Sequence, residues 1–210
     1  MIAVVDYGMG NLRSVAKALE RVGARVEVTS DASRIASARA VVLPGVGAFG
    51  RCMENLRAAG LAEPVRRAAL SGRPFLGICV GMQILFDESE EFGPVEGLGI
   101  LHGRVRRFRP VRSDLKVPHM GWNRLSIKHR EPLLVGVPEG AYAYFVHSYY
   151  VDGVDPTIIA TTTRYDVEFV SSVASRNLMA TQFHPEKSQA IGLQMLSNFA
   201  ALAAGREPLR

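Results

Sequence analysis

The first eighty residues alternate short apolar segments with helical patterns, and this alternation limits the possible folds more than any other feature. The predicted strands are the apolar segments Ile2–Val5, Ala40–Leu43 and Phe75–Cys79, together with Val26–Thr29. After the first of them, Asn11 is placed to cap a helix whose apolar residues recur three and four positions apart, and Gly23 is placed to end it. Strands that are apolar throughout and alternate with helices predict a parallel sheet covered on both faces.

The second half of the chain changes character and is mostly strand. Its predicted strands are Arg104–Phe108, Trp122–Ile127, Tyr142–Val151, Ile158–Thr163, Phe169–Ala174 and Leu178–Phe183. Short strands joined by turns indicate antiparallel pairing, and a helix from about Ser188 to Ala204 closes the chain. We therefore predict one three-layer α/β domain over residues 1–210, with a mainly parallel central sheet extended by antiparallel strands and helices on both faces.

The composition excludes several classes of protein. Hydrophobic residues make up 48% of the 210 residues, which indicates a globular protein rather than a disordered one. The formal net charge of +5 is modest and spread along the chain, so we expect no nucleic-acid partner. No apolar segment approaches the roughly 18 residues of a membrane span, and the N-terminus lacks the features of a signal peptide. We expect a cytoplasmic protein that does not bind membranes.

Metal and cofactor sites are not predicted. The two cysteines form no Cys-x-x-Cys pair of the kind that binds zinc. Gly8-Met9-Gly10 begins like a dinucleotide-binding fingerprint, but Arg13 stands where the third glycine belongs. The basic segment Arg104–Arg112 could contact a phosphorylated ligand or an acidic partner, although such a segment is more often the solvated face of a strand.

The sharpest chemical signal is the sequence Gly77-Ile78-Cys79-Val80-Gly81, which lies between an apolar strand and the helical stretch Met82–Phe86. A nucleophile on such a strained turn is lifted out of the sheet, and the flanking glycines avoid collisions there. The following helix favours the thiolate, the reactive form of cysteine. A single cysteine is more often an inert buried side chain, which is our interpretation of Cys52, but this setting predicts that Cys79 is a catalytic nucleophile.

A cysteine nucleophile needs a base, and the base needs a group that orients it. The candidate bases are His102, His119, His129, His147 and His184. His184 follows an apolar strand at the edge where open α/β sheets bind ligands, and Glu186 projects to the same side of an extended segment. Because His184 and Cys79 are 105 residues apart, only the fold can pair them. On spacing alone, a core or surface histidine fits His184 equally well.

The glycine-rich segment Pro44–Gly50 follows the third apolar strand. It lacks the Lys-Ser/Thr ending of a phosphate-binding loop. Exposed backbone amides there suit an oxyanion hole, in which the amide of Val80, directly after the nucleophile, supplies a second donor. Without the cysteine elbow, the segment would be interpreted as a plain tight turn.

Together these segments resemble the class I, or triad, glutamine amidotransferases, and the resemblance covers nearly the whole chain. The segments that carry it are Asp6–Leu12, Pro44–Gly47, Gly77–Gln83, His119–Asn123, Phe145–Tyr149 and His184–Ser188. The sequences Pro-Gly-Val-Gly and His-Met-Gly-Trp-Asn narrow the resemblance to the glutaminase subunits of histidine biosynthesis.

The resemblance implies a role for each matching residue. Cys79 attacks the side-chain amide of L-glutamine. His184 is the base that accepts the proton of Cys79 and later protonates the departing ammonia, and Glu186 orients His184. The resemblance implies that the oxyanion is stabilised by the backbone of Val46, Gly47 and Val80. It implies that glutamine is bound by Gly45, Gln83 and Ser148. It also implies that Asn11, Tyr144 and Lys187 lie near the subunit interface and the ammonia entrance, with Trp122 and His119 on the same surface. The family also implies a peptide rearrangement in the oxyanion segment, which its glycines permit.

A glutaminase of this kind needs a partner. Ammonia released into neutral water becomes ammonium, which is not a nucleophile, and the predicted elements leave no acceptor domain in the chain. We therefore expect the ammonia to pass to another protein through a shielded route. The resemblance implies a (β/α)₈-barrel cyclase as that partner, in a 1:1 heterodimer.

Three alternative functions stay open at this point. A glutaminase subunit for purine, pyridoxal phosphate or anthranilate synthesis would keep the same triad and change the partner. A stand-alone cysteine hydrolase or peptidase would turn over at full rate without a partner. A non-catalytic protein would keep the elbow only as structure.

Overall fold

The structure is a computed structural model that describes residues 1–208. Its strands are β1 Ile2–Val5, β2 Val26–Thr29, β3 Ala40–Gly45, β4 Phe75–Cys79, β5 Glu88–Ser89, β6 Val95–Glu96, β7 Arg104–Arg107, β8 His119–Arg124, β9 Ser126–Ile127, β10 Tyr142–His147, β11 Tyr149–Asp152, β12 Ile159–Tyr165, β13 Val167–Ser175 and β14 Leu178–Thr181. Its α-helices are α1 Leu12–Arg21, α2 Ala32–Ser37, α3 Phe49–Ala58, α4 Ala62–Leu70, α5 Val80–Gln83 and α6 Gln189–Ala203, and short 3-10 turns lie at Pro132–Leu134, Pro156–Ile158 and Pro185–Lys187.

The two halves of the central sheet differ in the direction of their strands. Its strand order over the described residues is β2-β1-β3-β4-β14-β13-β12-β9. The pairs from β2 to β14 are parallel, and those from β14 to β9 are antiparallel. β1, β3 and β4 are buried along their whole length, which explains their unbroken apolar sequences. The predicted fold class is confirmed: a mainly parallel sheet is extended by antiparallel strands.

The helices lie in two layers. The chain leaves β1 toward one edge of the sheet and returns from β2 to β3 and β4 in the other direction. Because parallel crossovers are right-handed, this reversal places α1 on the face opposite to α2, α3 and α4. In agreement, α1 packs against α6, while α2 packs against α4. In the part of the chain that the structure describes, no helix combines the length and the apolar character required to cross a bilayer.

Two predicted strands were wrong in extent, because each of them changes sheet midway. The segment Trp122–Ile127 divides at Leu125: β8 pairs with β10 in a two-stranded sheet, and β9 joins the central sheet beside β12. The segment Tyr142–Val151 divides at Ser148, after which β11 pairs with β7 in a four-stranded sheet. Each break is marked in the sequence only by two adjacent polar residues, Asn123-Arg124 and His147-Ser148, which do not by themselves show a change of sheet.

Candidate active site

Cys79 lies at the carboxyl end of β4 in a strained conformation. Its φ is 57° and its ψ is −114°, in a region that non-glycine residues rarely adopt. A Cβ on Gly81 would lie 1.9 Å from the carbonyl oxygen of Leu43, and one on Gly77 would lie 2.9 Å from the carbonyl oxygen of Gly81. The turn therefore packs directly on β3, and only glycine fits on either side of the cysteine.

The helix after this turn is shorter than predicted. α5 is a single turn, and the chain leaves helical geometry at Ile84 instead of continuing to Phe86. A helix of one turn has only a small dipole. The sequence argument that a following helix would favour the thiolate therefore loses most of its strength, and the charge of the sulfur depends on its side-chain neighbours.

His184 reaches Cys79 because two strands distant in sequence are adjacent in the sheet. β14 runs parallel to β4, with Thr181 in register with Ile78, and both strands end at the same edge. His184 lies three residues beyond the end of β14 and continues the chain into the 3-10 turn that carries Glu186. Nδ1 of His184 donates to Oε1 of Glu186 over 2.8 Å, and both side chains are almost fully buried. The fold thus brings the three predicted residues to one place.

The neighbours of His184 control its charge. Burial lowers the pKa of His184, but the hydrogen bonds and negative charges of Cys79 and Glu186 outweigh burial and raise that pKa to about 10. Nε2 of His184 makes no hydrogen bond of normal geometry within the described residues, so this nitrogen is left for Cys79 and a substrate. His184 is therefore an imidazolium at neutral pH, next to the sulfur of Cys79.

Cys79 and His184 line a cleft of about 390 Å³, which is within the range of small-molecule sites, and Glu186 lies behind His184 outside its lining. Its lining residues are Val46, Gly47, Cys79, Val80, Gln83, Glu91, Pro118, Val146, His147, Ser148, Tyr149, His184 and Lys187. A larger cavity, of about 930 Å³, lies between the start of β1 and the end of α6 and contains no predicted site residue. The smaller cleft is therefore the candidate active site, because it holds the reactive groups.

The predicted oxyanion segment forms one wall of this cleft. Gly45 is in register with Cys79, and a Cβ on it would lie 2.6 Å from the amide nitrogen of Gly81. Val46 and Gly47 line the cleft on one side of the sulfur, and Val80 lines it on the other. Gly47 has a φ of 89°, which a residue with a side chain would adopt only with strain.

Two buried side chains hold the carbonyl groups of the oxyanion segment. The hydroxyl of Tyr7 donates to the carbonyl oxygen of Pro44 over 2.8 Å, and Sγ of Cys52 lies 3.5 Å from the carbonyl oxygen of Val46. Burial raises the pKa of the Cys52 thiol to about 11, so this cysteine remains a neutral thiol. The segment is therefore held in one conformation by contacts on the side facing away from a substrate.

Gln83 and Ser148, both predicted to bind substrate, line the cleft with part of their polar atoms already engaged. Nε2 of Gln83 donates to the carbonyl oxygen of Tyr149 over 3.0 Å and to Oε1 of Gln182 over 2.9 Å. The carbonyl oxygen of Ser148 accepts from the amide of Phe108 over 2.9 Å. The side-chain oxygen of Gln83 and the amide and hydroxyl of Ser148 are therefore the groups these residues can offer to glutamine.

Sequence analysis missed two polar side chains at the site. Gln182 is fully buried, and its Nε2 lies 3.8 Å from Sγ of Cys79. Glu91 lines the cleft and accepts from the amide of Phe49 over 2.6 Å, so it fixes the start of α3. The position of Gln182, two residues before His184, was a usable signal, because residues i and i+2 of an extended segment share a face.

The residues expected near an interface do not all lie together. Nζ of Lys187 lies 5.9 Å from the ring centroid of Tyr144, whose ring contacts Trp122 edge-on at 5.9 Å. Trp122 is 46% exposed, so it lies at the surface as expected. Asn11 caps α1 by accepting from the amide of Ser14 over 3.4 Å and is not part of the cleft lining.

The surface position expected for His119 was wrong. Its side chain is 3% exposed, because residues of β8 alternate between two faces and His119 points inward where Met120 and Trp122 point outward. Nδ1 of His119 lies 2.9 Å from Nε2 of His147, and Nδ1 of His147 lies 2.8 Å from the carbonyl oxygen of Tyr149. Since a carbonyl only accepts, His147 carries its proton on Nδ1 and accepts on Nε2 from His119.

The basic segment Arg104–Arg112 is an exposed strand and loop whose charges are partly neutralised. Its ion pairs are Arg104 with Glu88, Arg106 with Asp152, Arg109 with Glu90 and Arg112 with Asp114. The solvated-face interpretation therefore fits this segment better than a phosphate site.

We expect the free energy of unfolding to fall as the pH is lowered from about 6 to about 5. Burial lowers the pKa of His119 to about 4 and that of His147 to about 3, so over this range only the unfolded chain binds these two protons. Glu131 acts in the opposite direction, because burial raises its carboxyl pKa to about 7 and the folded chain keeps a proton that the unfolded chain releases. The net slope is about 1 kcal/mol per pH unit.

Removing the carboxyl group of Glu131, which acts against the two histidines, tests whether these three residues set the pH dependence of the free energy of unfolding. In Glu131→Gln the slope should rise to about 2 kcal/mol per pH unit, as measured by urea unfolding at several pH values. Glu63→Gln, which alters an exposed carboxylate of α4, is the control and should leave the native slope. Equal slopes in Glu131→Gln and the native chain would contradict the assignment.

A comparison with known protein families identifies the class of protein to which the chain belongs. The sequence profile described as glutamine amidotransferase class-I matches residues 3–202. The chain therefore belongs to the class-I glutamine amidotransferases. The glutaminase domain of Trypanosoma brucei CTPS, solved with bound acivicin, superposes with a TM-score of 0.69 over 99% of this chain and 95% of that one. At 19% identity, this likeness shows the fold alone.

Curated relatives carry one particular name. A protein of Geobacter sulfurreducens named imidazole glycerol phosphate synthase subunit HisH is 54% identical over 205 residues, which are 96% of this chain and 98% of that protein. A protein of the same name from Nostoc punctiforme is 52% identical over 210 residues, which are 99% of each chain. Both matches are close to full length, so the chain is similar to these subunits throughout and not in one motif.

Proposed function

We propose that the chain is the glutaminase subunit of an imidazole glycerol phosphate synthase and acts in histidine biosynthesis in the cytoplasm. Residues 1–210 form its single amidotransferase domain. The observation that carries this proposal is the meeting of Cys79, His184 and Glu186 at the ends of two adjacent parallel strands, in a chain whose full-length relatives bear the HisH name. L-Glutamine is the substrate, and the chain uses no metal or cofactor.

The first half of the reaction forms a thioester. The thiolate of Cys79 attacks the side-chain carbonyl carbon of glutamine, and the carbonyl electrons move onto oxygen. Backbone amides of Val80 and of Val46 or Gly47 stabilise this oxyanion. The C–N bond then breaks as the imidazolium of His184 protonates the departing nitrogen, which leaves as ammonia. The raised pKa of His184 supports this step, because the histidine enters it already protonated.

The second half releases glutamate. A water molecule gives a proton to Nε2 of the now neutral His184 and attacks the thioester carbon, and the C–S bond breaks to restore the thiolate. Glu186 keeps the proton of Nδ1 in place throughout, so that Nε2 remains the nitrogen that exchanges protons. Gly45, Gln83 and Ser148 hold the glutamine, with Gly45 leaving room beside the elbow.

The ammonia acceptor is a (β/α)₈-barrel cyclase subunit in a 1:1 complex, which makes imidazole glycerol phosphate and aminoimidazole carboxamide ribotide. The docking surface includes the exposed aromatic face of the β8–β10 sheet, where Met120 is 62%, Trp122 46% and Tyr142 47% exposed. Lys187 lines the cleft and lies against the ring of Tyr144 beside this face, so we assign the ammonia exit to this pair and assign Asn11 to the same interface. Neither nucleic acid nor membrane is a partner.

A glutamine-mimicking electrophile, such as a chloroketone analogue, tests the assignment of the nucleophile. We expect one label per chain, attached to Cys79, in the complex with the cyclase. Cys52 should remain unlabelled, because it is fully buried and stays a thiol. Cys52→Ser, which keeps a donor to the carbonyl oxygen of Val46, is the matched control and should label like the native chain, whereas Cys79→Ala should not label. Peptide mapping by mass spectrometry distinguishes the two, and a label on Cys52 or no label would overturn the proposal.

A further inference from the structure

Gln182 lies next to the sulfur of Cys79. It follows the last residue of β14, its side chain is fully buried, and its backbone amide donates to the carbonyl oxygen of Ser171 over 2.9 Å. Its side-chain Nε2 lies 3.8 Å from Sγ of Cys79, and its Oε1 accepts from Gln83 over 2.9 Å. The mechanism described above gives Gln182 no role.

The orientation of the Gln182 amide follows from its partners. The carbonyl oxygen of Tyr149 can only accept, so the nitrogen of Gln83, and not its oxygen, must face it. The same nitrogen then also faces Gln182, which must present its oxygen. Turning the Gln182 amide over would bring two NH₂ groups together. The nitrogen of Gln182 is therefore directed at Cys79.

The anchor of this arrangement is rigid. The carbonyl oxygen of Tyr149 accepts from Gln83 over 3.0 Å and from His147 over 2.8 Å. His147 is in turn bonded to His119, whose Nε2 lies 3.1 Å from Nδ2 of Asn123. All of the side chains between Asn123 and Cys79 in this series are buried. A series of hydrogen bonds with fixed donors thus ends on the nucleophile.

The neighbours of the sulfur favour different protonation states. The carbonyl oxygen of Val146, 3.9 Å away, can accept from a thiol but repels a thiolate. The N–H of Gln182 and the imidazolium of His184 attract a thiolate. We propose that Gln182, oriented by Gln83, is a positioning residue that donates to the Cys79 thiolate and fixes the direction of its sulfur. This inference rests on the proposed function, in which Cys79 is the nucleophile.

Alkylation of the intact chain by iodoacetamide tests the proposal. Gln182→Glu keeps an oxygen for Gln83 but places a second oxygen beside the sulfur, and Gln182→Met removes the donor without a charge. In both variants the alkylation rate of Cys79 against pH should move to higher pH than in the native chain. In the complex, kcat for glutamine should fall about tenfold or more with little change in KM, because a charge-assisted hydrogen bond is lost.

A matched control separates positioning from folding. Asn198 is a second buried amide, which donates to the carbonyl oxygens of Leu133 and Val135 beside the larger cavity. Asn198→Asp should lower stability but leave the pH profile of alkylation native. A native profile in a folded Gln182→Glu or Gln182→Met variant would overturn the proposal.

A measurement on the native chain does not depend on the folding of variants. Alkylation of Cys79 should shift the side-chain amide resonances of Gln182 in a ¹⁵N spectrum and leave those of Asn198 in place. An unmoved Gln182 resonance would overturn the proposal. Iodoacetamide reacts with the sulfur whether or not the chain uses glutamine, so these results are independent of the proposed function, which fails separately if Cys79→Ala still hydrolyses glutamine.

Discussion

Cys79→Ala is expected to abolish glutamine-dependent synthesis by the complex and to leave synthesis from added ammonium salts intact. Without the sulfur no thioester forms, and the remaining groups of the cleft only polarise the amide. Loss of the nucleophile from such a constellation lowers kcat by on the order of 10⁴-fold or more. Ammonia supplied from solution does not need the cleft, so the cyclase should still turn over.

The two activities are measured on one preparation of the complex, with glutamine or with an ammonium salt as nitrogen source. Cys52→Ser, which keeps a donor to the carbonyl oxygen of Val46, is the control for altering a buried thiol, and it should retain most of the glutamine-dependent rate. Loss of both activities in Cys79→Ala would contradict the division of labour between the subunits. Retained glutamine use would remove Cys79 from the mechanism altogether.

The parallel half of the fold could be predicted from sequence because its strands are short, mostly apolar and separated by helices. For the antiparallel half, the presence of strands was predicted, but not which strands pair with each other. Leu125 and Ser148 are the points where the chain passes from one sheet to another. Strand pairing at both points is decided by contacts between residues distant in sequence, which a local pattern does not contain.

The candidate site also contains some residues that could be predicted from the sequence and others that could not. Cys79 could be predicted because the strained turn leaves its mark in the two glycines beside it. His184 was singled out among five histidines by its place after an apolar strand and by the family resemblance, but its pairing with Cys79 required the fold, which places β14 beside β4. The pair His119–His147 was missed because a buried polar residue acquires its role from partners elsewhere in the chain, whereas Gln182 was missed although its spacing from His184 offered a signal.

The second large effect expected is activation by the partner. A glutaminase that worked alone would consume glutamine and lose its ammonia to water. In the chain by itself, Tyr7 and Cys52 engage the carbonyl groups of Pro44 and Val46, and so hold the oxyanion segment in one conformation. The family resemblance implies that the segment must rearrange. Since one oxyanion donor contributes about 10²- to 10³-fold to kcat, docking that supplies this donor should raise turnover by a similar factor.

The measurement that tests the central claim most directly is glutamate release from glutamine in three mixtures. These are the chain alone, the chain with the barrel cyclase, and both subunits with the nucleotide ligand of the cyclase. We predict weak release from the chain alone and a rise of about 10²-fold or more when cyclase and ligand are both present. Full-rate release from the chain alone, or no rise in the complete mixture, would contradict a glutaminase controlled by this partner.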